Sequence, residues 1–218
     1  MSKQIFYSYA GSPNVWRVAV YLHEKGLKPE TRVIDLIQKE QKNSEYLAIN
    51  SRGQVPAYQE GDVVIAESLA IMMYLEHKHK ETPLIPTNDQ DYATFLTRYF
   101  QFPAKLDQVG ILGPVLFGKK TRADLEDKIQ ALLKETKEWD SALEGREYLA
   151  HTFSIADIAI LPTITSYVET LGLEISQFPN LQAWYKRMWL RPAVKETPSH
   201  ALRHKEIPHE RVLEGVRL

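Results

Sequence analysis

Ser12, in the run Gly11-Ser12-Pro13-Asn14-Val15-Trp16-Arg17-Val18, offers a hydroxyl where a short β-prone segment gives way to a helix. Backbone N–H groups at a helix start are unpaired and the helix dipole favours negative charge there, so such a hydroxyl can donate to a bound anion. Further along, Gln54-Val55-Pro56 offers a backbone edge, and Glu67-Ser68 opens another helix with an acid beside a second hydroxyl. A cis Val55–Pro56 bond would turn the preceding N–H and C=O outward to pair with an extended peptide. Ser68 and the N–H groups around it can grip a carboxylate while Glu67 faces an ammonium group. Together these parts suit a small anionic peptide whose reactive atom rests beside a serine. Each has a plain structural reading too: Ser12 as a helix cap, Pro56 as the start of an edge strand, Glu67 as a favourable acid in a first turn. Ser12 is a poor fit for a hydrolase nucleophile, because no Gly-x-Ser-x-Gly elbow surrounds it and no histidine is placed as its base.

The elements that must position these groups follow from periodicity. Ile5-Phe6-Tyr7-Ser8-Tyr9 reads as a strand, and Val15, Val18, Ala19 and Leu22 recur at helical spacing until Gly26. Thr31 to Asp35 reads as a second strand, parallel to the first with a right-handed crossover. Val55 to Tyr58 and Val63 to Ile65 flank Glu60-Gly61-Asp62 as a hairpin, and a helix follows from about Glu67 to His77. The charged, proline-containing stretch Lys78 to Asn88 suits a linker, and beyond it strand signals vanish. Leu125, Ile129, Leu132, Leu133, Thr136 and Leu143 mark one stripe of a long amphipathic helix. Phe153-Ser154-Ile155-Ala156-Asp157-Ile158 carries a capping box with Ser154 as N-cap and Asp157 in the place usually held by Glu or Gln. It opens the most apolar helix of the chain, in which Pro162 predicts a kink or a locally broken hydrogen bond. A last helix runs through Leu181, Trp184, Tyr185, Met188 and Trp189 to Pro192, and the polar tail from about His200 shows no core face. The aromatic cluster on this last helix reads as packing.

Composition narrows the chemistry. A chain of 218 residues with 44% hydrophobic and 25% charged residues and a formal net charge of -1 is an ordinary globular composition without a basic nucleic-acid footprint. There is no cysteine, so no disulfide, thiolate metal cluster or protein-borne catalytic thiol can form. Any sulfur nucleophile must come from a ligand. The seven histidines show no metal spacing on a shared face, apart from the i, i+4 pair His200 and His204, which lies outside any capped helix. The N-terminal residues lack a signal-peptide pattern and no window reaches the roughly 20 apolar residues of a membrane span, so the expected location is the cytosol.

This constellation resembles the cytosolic glutathione S-transferases over nearly the whole chain to about Pro198. Tyr7 to Ser12 with Trp16-Arg17-Val18 is similar to the active-serine segment of the zeta and rho classes. Asn50-Ser51-Arg52-Gly53-Gln54-Val55-Pro56 and Glu67-Ser68-Leu69-Ala70 are similar to the glutathione-binding loop and helix start. Phe153 to Asp157 resembles the capping box of the C-terminal domain, and Gly11-Ser12-Pro13, Ser51 to Gln54 and Tyr74-Leu75-Glu76 resemble the rho class most. The resemblance implies an α/β thioredoxin-like N-terminal domain over 1–80, a linker over 81–89 and an all-α helical-bundle domain over 90–218, usually as a homodimer. It implies glutathione as co-substrate, no other cofactor and no metal, with neither nucleic acid nor membrane as partner. Ser12 would donate to the glutathione sulfur; Gln54, Glu67 and Ser68 would hold the γ-glutamyl end; and Val55 would pair with the cysteinyl unit. Gln41 and Lys42 fall in the stretch that often meets the glycine carboxylate. A small apolar electrophile would lie between the domains, with Phe100, Phe102 and Leu112 as candidates. Asn14 stands where zeta enzymes carry a cysteine, which argues against maleylacetoacetate isomerase activity, and the missing cysteines exclude an omega-type or glutaredoxin-like thiol mechanism. Accessory glutathione peroxidase activity is left open, and the competing readings are a non-catalytic interaction module on the same fold and a ligandin that stores apolar molecules.

Overall fold

The structure is a computed structural model that describes residues 2–217. β1 (Gln4–Ser8) leads through the Ser12 turn into α1 (Pro13–Glu24), and β2 (Glu30–Val33) returns parallel to β1, pairing Ile5 with Glu30. After a 3-10 turn over Glu40–Lys42 and the short α2 (Ser44–Ile49), β3 (Ala57–Glu60) pairs antiparallel with β1, and β4 (Val63–Ala66) closes the hairpin. The sheet order is therefore β2-β1-β3-β4. The Gly61-Asp62 turn depends on Gly61, whose φ of +58° matches the twist that a two-residue hairpin demands. Ile5, Phe6, Tyr7 and Ser8 of β1 are all buried, as a strand covered on both faces must be, and α1 and α3 (Ser68–Lys78) pack against the sheet.

From α4 (Asp89–Gln101) onward the described residues form helices and turns, apart from one isolated bridge between Ala150 and Thr152. α5 (Leu112–Leu116) and α6 (Glu126–Ala142) follow, and α7 (Ile155–Thr165), every residue of which is buried, packs against α1, α4 and α8 (Pro179–Leu190). The capping box forms as its spacing predicts, with Ser154 Oγ accepting from Ala156 N and Asp157 Oδ2 accepting from Ser154 N. Pro162 leaves α7 continuous to Thr165, after which the backbone widens into a π turn over Ser166–Thr170. The sheet unit and the helical unit are joined through α1 and α7, and Trp16 Nε1 also donates to Thr197 beyond α8 (Pro179–Leu190) and α9 (Pro192–Glu196). In the linker, Glu76 accepts from Leu84 N while Lys25 pairs with Glu76 and donates to the carbonyls of His79 and Thr82.

The tail corrects its sequence reading. α10 (Ala201–His204) and the chain beyond it bury Ala201, His204, Val212 and Leu213, with His200 buried just before. His204 Nδ1 faces Thr170 Oγ1 at 3.1 Å and its Nε2 faces the carbonyl of Gly11 at 3.0 Å. α10 is a single turn and the other buried positions lie on irregular chain, so no periodic pattern announces them. No helix among the described residues is long and apolar enough to cross a membrane.

Candidate active site

Ser12 both caps α1 and faces open space. Its backbone is extended, its Oγ accepts from Val15 N at 3.3 Å, and Pro13 follows at the first helical position, where its fixed φ and missing N–H suit a helix start. Because Oγ accepts inward, its single proton is free to donate outward. The functional and structural readings of this serine hold together.

The Gln54 loop is held by Tyr46 on α2 and by Asn50 at its end. The Gln54 carbonyl accepts from Tyr46 Oη at 2.7 Å and from Asn50 Nδ2 at 2.8 Å, so α2 fixes this turn from behind. Gly53 adopts φ +59°, and a Cβ there would sit 2.5 Å from the Gln41 carbonyl, so only glycine allows the two loops to close. The Val55–Pro56 bond is cis.

Glu67 precedes α3 with φ +69° and ψ +116°, a region that costs a non-glycine residue about 1–3 kcal/mol. Strain of this kind persists where the surroundings over-determine it, and here it lies at the mouth of the site. Glu67 is exposed and Ser68 is buried, with Ser68 Oγ accepting from Arg17 Nη1 at 2.8 Å. The first-turn N–H groups of α3 have no partner within the helix and bring the positive end of its dipole to the same place.

Ser12, Gln41, Gln54, Val55, Glu67 and Ser68 all line one pocket of about 330 Å³. Asn14, Leu36, Asn50, Gly53 and Pro56 complete it. Lys42 lies beside Gly53, its Nζ 3.0 Å from where a Cβ would stand, and is not part of this lining. A buried Gln41 Oε1 has no protein partner and remains available as an acceptor. A second cavity of about 280 Å³ shares Asn14 with the first and is lined by Pro13, Ile111, Leu112, Pro114 and Tyr167, with Asp107, Thr163 and Ser166 adding polar groups. Of the candidates for the apolar site, only Leu112 reaches that cavity. Phe100 is 59% exposed on α4, and Phe102 is 1% exposed beneath the Arg17 guanidinium, 4.9 Å from ring centre to charge. Helical periodicity alone cannot tell which side of α4 faces a cavity and which faces solvent.

The pocket therefore presents outward-facing donors at Ser12, Ser68 and a helix N-terminus, and acceptors at Glu67 and Gln41. That distribution fits a zwitterionic peptide: carboxylate at the α3 start, ammonium by Glu67, and a further acidic atom at Ser12 beside the second, more apolar cavity.

Comparison with known proteins points the same way. Residues 6–83 match the family model for the glutathione S-transferase N-terminal domain and residues 90–192 that for the C-terminal domain. The chain is 31% identical over 194 residues to Glutathione S-transferase 1 of Dianthus caryophyllus, covering 83% of this chain and 85% of that protein. It is 30% identical to Glutathione S-transferase A of Pleuronectes platessa, covering 85% and 87%. A glutathione transferase homolog of Drosophila mojavensis, solved with bound glutathione, superposes with TM-score 0.87 at 27% identity over 96% of this chain and 100% of that one. With both family models matched and relatives of that name at this identity, the chain belongs to the glutathione S-transferase family and carries both domains of such an enzyme.

Proposed function

We propose that this protein conjugates the glutathione thiolate to small apolar electrophiles, with Ser12 as the donor that stabilises the thiolate. The observation that carries this reading is the convergence of Ser12, Gln54, Val55, Glu67 and Ser68 on one pocket that shares Asn14 with an apolar cavity. In it, Glu67 and Ser68 take the γ-glutamyl end, Val55 pairs by backbone with the cysteinyl unit, and Gln41 with neighbouring Lys42 attends the glycyl end. A free thiol has a pKa of about 8.5 and is only a few per cent ionised near neutrality. A hydroxyl donor and a helix N-terminus lower that value, each unit corresponding to about 1.4 kcal/mol in favour of the anion. Ser12 thus remains a hydrogen-bond donor and forms no covalent bond. The sulfur attacks the electrophilic carbon and a C–S bond forms: a halide leaves an aryl carbon with its bonding pair, an epoxide oxygen keeps the pair of the opened C–O bond and takes a proton, and an isothiocyanate nitrogen takes the C=N pair and a proton.

The electrophile site is the cavity around Leu112. Phe100, exposed with Tyr92 on α4, together with the exposed Val63 and Val64 on edge strand β4, supports a homodimer surface instead. Within the family we place the chain nearest the rho class, on the Gly11-Ser12-Pro13 and Ser51 to Gln54 segments. The sequence supports a cytosolic, detoxifying role and domain limits of 1–80 and 90–218. Calorimetric titration with glutathione, followed by a conjugation assay over aryl halides, epoxides, isothiocyanates and organic hydroperoxides, tests the proposal. Tight binding and turnover of at least one of the three carbon electrophiles support it; turnover of hydroperoxides alone would show peroxidase activity in place of conjugation, and retention of glutathione without any turnover would favour the binding-module reading.

A further inference from the structure

Arg17 is the one guanidinium of α1 and is almost completely buried, at 2% exposure. Its Nε donates to the Ala159 carbonyl of α7 at 2.7 Å, and its Nη1 donates to Asn14 Oδ1 and, at 2.8 Å, to Ser68 Oγ. Its Nη2 is buried without a hydrogen-bond partner. No carboxylate among the described residues lies within ion-pair distance of it. The titratable groups that face it are Asp107, Tyr99 and His200: the first two favour its charge, and the charge itself disfavours protonation of His200. Burial lowers its pKa to about 10, which leaves it cationic at neutral pH. A buried charge with no carboxylate beside it, offset only by three hydrogen bonds and the Phe102 ring 4.9 Å away, is costly, and a neutral donor could satisfy the Ala159 carbonyl as well.

Its two side-chain acceptors explain it. Asn14 and Ser68 both line the glutathione pocket, and Asn14 lies where that pocket meets the apolar cavity. An amide whose oxygen is occupied by Arg17 must present its N–H₂ the other way, and a hydroxyl that accepts from Arg17 keeps its proton for another partner. We infer that Arg17 is a positioning residue: it turns the Asn14 amide and the Ser68 hydroxyl into donors toward the bound peptide and supplies a buried positive charge whose counter-ion is the anionic ligand itself. Asn14 then acts as a second donor at the sulfur end beside Ser12, and Ser68 as the donor to the γ-glutamyl carboxylate. This rests on the proposed glutathione site and assigns it two residues that act together through a third.

The test measures glutathione affinity, the pKa of the bound thiol and thermal midpoint in N14A, N14D, R17M, S68A and the R17M/S68A pair. N14A, at an exposed position, should fold normally, weaken glutathione binding and raise the thiol pKa. N14D gives Arg17 a protein counter-ion and removes the donor, so the midpoint should rise by about 2–4 °C while affinity falls about tenfold or more. Opposite movement of stability and binding is not expected of a residue that only ties helices together. R17M and S68A should be non-additive in binding, because each removes the same bond. Wild-type affinity and thiol pKa in N14A, or strict additivity in the cycle, would overturn the inference. S12A separates the two levels: a shifted thiol pKa there with no effect in N14A sinks only the role of Arg17, whereas a wild-type protein that does not bind glutathione sinks both.

Discussion

Glu67 combines a strained backbone with an exposed carboxylate at the pocket mouth, which makes its two roles separable. Glu67→Ala keeps a side chain at φ +69° and removes the carboxylate; Glu67→Gly removes the carboxylate and relieves the strain. Both variants should lose about ten- to a hundredfold in glutathione affinity, the value of one charge-assisted bond, while the glycine variant unfolds at higher denaturant than the alanine variant. Titration calorimetry paired with urea unfolding checks both halves, and equal affinity to the parent in either variant would remove Glu67 from the binding site. At this scale the sequence was informative wherever a motif places a side chain by local geometry: Ser12, Gln54, Glu67 and Ser68 need only a turn and a helix start. It assigned no role to Tyr46, Asn50 or Arg17, and it could not tell that Phe100 is exposed on α4 and Phe102 buried just beyond it, because burial there depends on what packs against the helix.

The capping element of α7 is more than a cap. Asp157 Oδ1 accepts from Leu149 N at 3.0 Å and Trp184 Nε1 at 2.9 Å, while Oδ2 accepts from Ser154 N and, at 3.3 Å, Ser154 Oγ. One buried carboxylate thus ties the segment before α7 to α8. Asp157→Ala removes the cap and leaves buried donors unpaired, so the cost should exceed the usual 0.5–2 kcal/mol of a lost cap and reach about 3–4 kcal/mol. Turnover per folded molecule should stay near the parent's, because Asp157 touches neither cavity. Denaturant unfolding with an active-site titration checks this, and a loss below about 1 kcal/mol would mean the network adds nothing to the cap. The box itself was legible because Ser154 and Asp157 are three residues apart, whereas Trp184 as a partner was not, since nothing local links it to Asp157. Pro162 shows the same limit: its missing N–H is certain from sequence, but the helix stays continuous through it and the backbone departs from α geometry only at the π turn that follows.

Across the whole molecule, the buried tail histidines join the helical unit to the Ser12 turn and make stability depend on pH. Ser166 Oγ donates to the Pro162 carbonyl, so His200 Nε2–H donates to Ser166 and its buried Nδ1 stays unprotonated and unpartnered. Burial lowers the His200 pKa to about 2 and lowers that of His204, while burial raises that of Asp157 to about 6 against its four donors. The unfolded chain binds a proton at His200 below about pH 6.5 while the folded one does not, so its contribution is complete above that pH and is lost on acidification, by up to about 1.4 kcal/mol per pH unit, and His204 acts in the same direction. Asp157 works in the opposite sense between about pH 4 and 6, because there the folded state holds the extra proton. The net expectation is falling stability from pH 6.5 to 4, with a slope shallower by about one proton in His200→Phe; urea unfolding across that range checks it, and an unchanged slope would contradict it. The parallel β-α-β unit, the hairpin and the all-helical second unit were readable from alternating and helical periodicities, whereas the antiparallel β1–β3 pairing that sets the sheet order was not, and neither was the tail, since single-turn and irregular segments carry no period. The central claim concerns the thiolate, and its most direct measurement is the ultraviolet thiolate titration of glutathione bound to the parent and to Ser12→Ala. A bound-thiol pKa at least about one unit below the free value of roughly 8.5, rising back toward it in the variant with a smaller change in affinity, is the predicted result. The same titration curve in both proteins would contradict it.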